Sequence, residues 1–126
     1  MDSKLYLTIA SIVAILYALG FLLIPKTLAL FFSGVLEPHE TLNLRFGGAA
    51  DLAWGMILWF ARDWNREAVR GVLISSAVGL AIIIVVNIRG TAQGLLNSNA
   101  WVSTVVLVLL LLGALYFLYT DSRKTA

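Results

Sequence analysis

Asp51 is the residue whose position asks most of its chemistry. It lies inside an apolar stretch running from about Leu42 to Phe60. At the rise of an α-helix it sits ~13 Å below Leu42, near the middle of a hydrocarbon layer ~30 Å thick. An acid at that depth needs a partner, water or a proton. One role is a buried carboxylate for a cation, a proton or the polar head of a ligand. The other is a protonated acid that joins helices through a hydrogen bond to a hydroxyl or carbonyl. Arg45 stands on the same stretch, but ~120° around the helix, and helical side chains lean toward the N-terminus. Arg45 therefore leans outward, and no direct pair is expected. Ser75, Ser76 and Gly79 on the third apolar stretch, and Ser11 and Tyr17 on the first, fall near the depth of Asp51.

A second group converges on the outer ends of the apolar stretches: Arg45, Asn87, Arg89 and Gln93, with Ser103 and Thr104 nearby. Two arginines with amides can clamp a phosphate, a carboxylate or a quinone carbonyl. They can equally reach out to lipid phosphates. The ligand-binding candidates are thus Asp51, Arg45, Asn87 and Arg89. His39, the one histidine, sits in a turn between Glu37 and Glu40; it reads as a solvated loop residue. There is no cysteine, which removes disulfides, thiolate nucleophiles and thiolate metal sites. One histidine cannot ligate a haem from both sides. No nucleophile elbow, phosphate loop or zinc-protease helix is present. No catalytic residue, metal centre or cofactor is expected.

The elements that must position these residues follow from composition. Of 126 residues, 60% are apolar and 13% charged, against roughly 45–50% and about 25% in a soluble domain. Mean hydropathy is +0.92. A soluble globule has too little polar surface to hide that much apolar side chain. The expected fold class is all-α, an integral membrane bundle of four transmembrane helices forming one domain over residues 1–126. The expected spans are 5–24, 42–60, 68–88 and 100–119. The first holds 20 residues without a charge, longer than a signal-peptide core, and Pro25 stops it. Residues Lys26 to Gly34 are too few to cross and read as a short interfacial helix with Phe31 and Phe32 dipping into lipid. Glu37 to Thr41 forms a polar turn, with Thr41 or Asn43 able to cap the second span.

Cations set the orientation. Lys4, Arg62, Arg66, Arg70, Arg123 and Lys124 fall on one side, and Lys26, Arg45 and Arg89 on the other. The positive-inside rule then makes both termini cytoplasmic, in a cytoplasmic (inner) membrane. The cations form no basic run of the kind that binds nucleic acid. Close helix packing in lipid uses small residues. Three rows supply them: Ala10/Ala14/Ala18, Gly71/Ser75/Gly79, and Gly48 with Gly55 on the face that also carries Asp51. Phe46, Ala53 and Ile57 fall on the opposite face. The fourth span is almost uniformly Val and Leu, suited to lipid or to docking.

The Leu22-Leu23-Ile24-Pro25 end of the first span, the short apolar segment to Gly34, and Leu44-Arg45-Phe46-Gly47-Gly48 with Gly55 further on together resemble the small four-helix DoxX-like membrane proteins. The resemblance covers nearly the whole chain as topology; at residue level it rests on Pro25, Arg45–Gly48 and Gly55. It implies a compact bacterial or archaeal four-helix bundle. Some members of that family act beside quinone-linked oxidoreductases. It assigns no role to Asp51. The leading expectation is a non-catalytic accessory or scaffolding subunit of a larger inner-membrane complex, with membrane lipids, that complex or further copies of the chain as partners. The alternative is a small binder or transporter of a lipophilic or amphipathic ligand, using the buried Asp51.

Overall fold

The computed structural model describes residues 3–34, 37 and 39–125. These form five α-helices and no strand: α1 (Ser3–Leu23), α2 (Pro25–Ser33), α3 (Glu40–Ala61), α4 (Arg66–Ala92) and α5 (Ala100–Thr125). Pro25 separates α1 from α2 because a proline lacks the N–H that would continue the first helix, yet suits the first turn of the next. Gly34 closes α2 in the left-handed conformation, φ +74°, and its N–H donates to the Leu30 carbonyl at 3.0 Å. Asn65 caps α4, its side-chain oxygen accepting the Ala68 N–H at 2.9 Å.

The start of α3 differs from expectation. Neither Thr41 nor Asn43 caps it: the helix begins one residue before Thr41, and His39 holds the cap position with no side-chain bond. The Glu40 carboxylate instead accepts the N–H of Glu37 at 2.9 Å. Pro38, within the expected polar turn, lies outside the described residues.

Helices α1, α4 and α5 are each long and apolar enough to cross a membrane, and they mark the chain as a membrane protein. Helix α3, with 22 residues, has the length but is not a fourth clear span. Its Glu40, Arg45 and Asp51 dilute its apolar content. Helices α4 and α5, at 27 and 26 residues, run past the expected ends at 88 and 119, because Arg89–Ala92 and Thr120–Thr125 continue the helical hydrogen bonding.

The helices pack as two pairs. Helix α1 lies along α3, and α4 along α5, while contacts from one pair to the other are sparse. Ala10, Ala14 and Ala18 are buried, and α3 meets this row with its glycines. A Cβ at Gly48 would stand 2.9 Å from the Phe21 Cβ and 3.1 Å from the Ala18 carbonyl oxygen. One at Gly55 would stand 2.8 Å from Ile15 Cγ1 and 3.2 Å from the Ile15 backbone nitrogen. Only glycine allows this approach without movement of one helix. The row Gly71/Ser75/Gly79 differs. A Cβ at Gly71 or Gly79 would meet nothing within 4 Å, so this row forms no seam within the chain. Helices α3 and α4 diverge there and leave a lateral groove of about 550 Å³.

Side-chain bonds join the two pairs. The buried Tyr6 hydroxyl of α1 donates to the Leu110 carbonyl of α5 at 2.6 Å. Its ring lies 5.5 Å from that of Phe117 and against Gly113, where a Cβ would strike it. Trp54 of α3 donates its indole N–H to the Ser76 hydroxyl of α4 at 2.9 Å. The loop between α4 and α5 holds the end of α2: the Asn97 and Asn99 side-chain amides both donate to the Phe31 carbonyl at 2.9 Å. The Asn97 backbone N–H donates to the Phe32 carbonyl at 2.7 Å. These donors satisfy carbonyls that a helix end otherwise leaves unpaired.

Candidate functional site

Because each pair packs tightly within itself, the space between the pairs is filled incompletely. A cavity of about 230 Å³ remains there, lined from all five helices. Val13, Ala14, Tyr17 and Phe21 come from α1, Phe32 from α2, and Leu44, Asp51 and Trp54 from α3. Ile83 and Asn87 come from α4, Leu96 from the following loop, and Ser103, Val106, Leu107 and Leu110 from α5. The walls are apolar, and the polar groups are few and convergent.

Asp51 enters the cavity for a local reason. Gly48 and Gly55 face α1, and Asp51 lies within about 60° of both on the helical wheel, just off the seam. Phe46 and Ala53 are exposed on the other side, whereas Ile57, expected there too, lines the groove between α3 and α4 together with Asp51. The half-buried Asp51 carboxylate makes no hydrogen bond or ion pair with any described residue. Asn87, half-buried on α4, likewise has no side-chain partner among them. None of the hydroxyls expected near Asp51 bonds to it. Ser76 accepts from Trp54, Ser75 donates to the Gly71 carbonyl at 2.9 Å, and Ser11 donates to the Thr8 carbonyl at 2.8 Å. Tyr17 Oη and Ser103 Oγ pair across the cavity at 3.2 Å. A carboxylate and an amide thus offer both acceptors and donors to one small apolar space.

Asp51, Trp54 and Ile83 also line the lateral groove between α3 and α4. The groove continues past Gly79, Ser75 and Gly71. The Trp54–Ser76 bond bridges the two helices, so the indole forms a bar between groove and cavity.

Of the four ligand-binding candidates, Asp51 and Asn87 come together at the cavity. Arg45 and Arg89 do not line it, and both are exposed. Gln93 is exposed at the end of α4, and the Thr104 hydroxyl donates to the Ala100 carbonyl at 3.2 Å. His39 is exposed, and no metal-ligating cluster exists among the described residues. Phe32, expected in lipid, turns into the cavity, while Phe31 faces outward. The cavity role of Leu44 and Trp54 had no signal in the sequence, since apolar residues occupy every face of α3, and that of Leu96 had none because it lies in the loop between α4 and α5.

No known protein family, curated protein or solved structure matches the chain.

Proposed function

We propose that the protein binds a small lipophilic or amphipathic molecule within the bilayer, holding its polar end between Asp51 and Asn87. The observation that carries this reading is the apolar cavity into which these two side chains project without a protein partner. Concave apolar walls with a few convergent polar groups are the general form of a ligand site. At about 230 Å³ the cavity is smaller than the ~300–1,000 Å³ of sites for drug-sized ligands. It suits a ring or a polar head, with any tail running out between α3 and α4. In this reading α3 is the fourth span of a bundle in the cytoplasmic membrane. Its acid is tolerated because it faces the cavity and the groove between α3 and α4, where a polar ligand group or water can reach it. Both termini lie on the cytoplasmic side, as the cation count favours.

The experiment is native mass spectrometry of the full chain extracted in mild detergent, followed by organic extraction of whatever small molecule travels with it. The wild type carries a discrete apolar mass, and Asp51→Asn and Asn87→Leu each reduce its occupancy at least tenfold while the fold is retained. Bare protein, or equal occupancy in all three forms, rejects the reading.

One observation favours a second reading, an accessory subunit of a larger membrane complex such as the DoxX-like resemblance suggests beside quinone-linked enzymes. Val102, Val105, Leu109, Leu112, Tyr116 and Tyr119 of α5 are each more than half exposed. Their alternating spacing of three and four is that of a helix-packing seam. Co-migration with large partners on native gels supports the subunit reading.

A further inference from the structure

The end of the bundle where α1 starts and α5 finishes holds a third pocket, of about 560 Å³, sharing no residue with the cavity or the lateral groove. Five cations line it, Lys4, Arg62, Arg66, Arg70 and Lys124, against a single acid, Asp121. Lys4 pairs with Asp63 at 2.8 Å, and that hydrogen bond holds the Asp63 carboxyl below its ordinary range. Arg66 pairs with Asp121. Arg62 donates to the Trp59 carbonyl at 2.7 Å and lies over the Trp59 ring. Arg70 and Lys124 form no ion pair or hydrogen bond with any described residue. Below the cations lie the buried Leu7, Leu73 and Phe117.

We propose that this mouth binds the head group of an anionic phospholipid from the adjoining leaflet. The phosphate oxygens meet Arg70 and Lys124. Guanidinium and ammonium groups suit them as fork and point charge respectively. The glycerol end and the first methylenes rest on the half-buried Val69 and Leu118 and the exposed Tyr116 ring, which cover the buried Leu7, Leu73 and Phe117. Trp64 and Tyr116, at the rim, belong at head-group depth. A soluble phosphate would leave this apolar floor unused, which is why the lipid is the assigned source. Basic pockets between membrane helices are a general mode of acidic-lipid capture.

The test is native mass spectrometry of the full chain titrated with phosphatidylglycerol, with phosphatidylcholine and with inorganic phosphate. Each near-surface cation contributes about fivefold to the binding of an acidic lipid, so R70Q/K124Q lowers phosphatidylglycerol binding by about thirtyfold. Phosphatidylcholine binds the wild type weakly, K26Q at the opposite end changes nothing, and R70K/K124R restores binding. The double variant keeps its thermal midpoint, because neither side chain supports the fold. Equal binding of the two lipids, or a drop below fivefold in R70Q/K124Q with the charge-conserving pair also unchanged, overturns the proposal. Displacement of the lipid by inorganic phosphate at equal concentration assigns the site to a soluble anion and overturns it as well.

Discussion

At the scale of single residues, small differences in side-chain volume decide the fold. Gly55 and Gly79 are the same residue type on neighbouring helices, yet their surroundings are opposite. Gly55→Val forces atoms into the Ile15 side chain and backbone, an overpacking that costs about 1–3 kcal/mol. Gly79→Val adds its atoms to an open groove and leaves stability within about 0.5 kcal/mol. Chemical unfolding in detergent micelles, followed by circular dichroism, checks the contrast. Tyr6 acts through one oxygen. Tyr6→Phe keeps the ring against Phe117 and Gly113 but loses the bond to Leu110. Interhelical hydrogen bonds in membrane proteins average about 0.6 kcal/mol and reach about 1.7, so the same unfolding assay should register a loss in that range. A larger loss would mean that the ring itself repacks.

At the scale of elements, two chain breaks were readable, while the start of α3, the far ends of α4 and α5, and the helix partners were not. Pro25 and Gly34 carry their chemistry in the residue type, so the breaks at 24–25 and 34 follow from the sequence, whereas α4 begins at Arg66, two residues before the expected 68, on the cap that Asn65 supplies. The face of α3 was also legible, since Gly48, Asp51 and Gly55 converge on a helical wheel. What α3 faces was not. An amphipathic helix in water announces its inner side by contrast with its polar side. Here α4 and α5 are apolar nearly all round, so their azimuths are set by volumes that only the assembled bundle displays. For this reason the row Gly71/Ser75/Gly79 read like a seam although it lines an open groove. The same ambiguity hid the commitment of Ser76 to Trp54 and of Tyr17 to Ser103, which leaves Asp51 and Asn87 to each other's company.

At the scale of the whole molecule, the two-pair arrangement has a consequence for how the chain is made. Helices α1 to α3 form one tightly packed unit and α4 with α5 another, and residues 62–65 are the only covalent connection between them. Each half contains its own helix partner, and helices that are already inserted can associate laterally afterwards. A chain cut between Trp64 and Asn65, with the halves made from separate genes, should therefore reassemble in the membrane. Co-purification of an untagged C-terminal half with a tagged N-terminal half would register it, and Tyr6→Phe should weaken recovery. Recovery of the tagged half alone would show that the connection is needed for assembly. Since Asp51 belongs to one half and Asn87 to the other, any molecule held between them would also act as a rivet, raising the yield of the joined halves by mass action. The cut chain thus converts occupancy of a site within the bilayer into a count of reunited fragments.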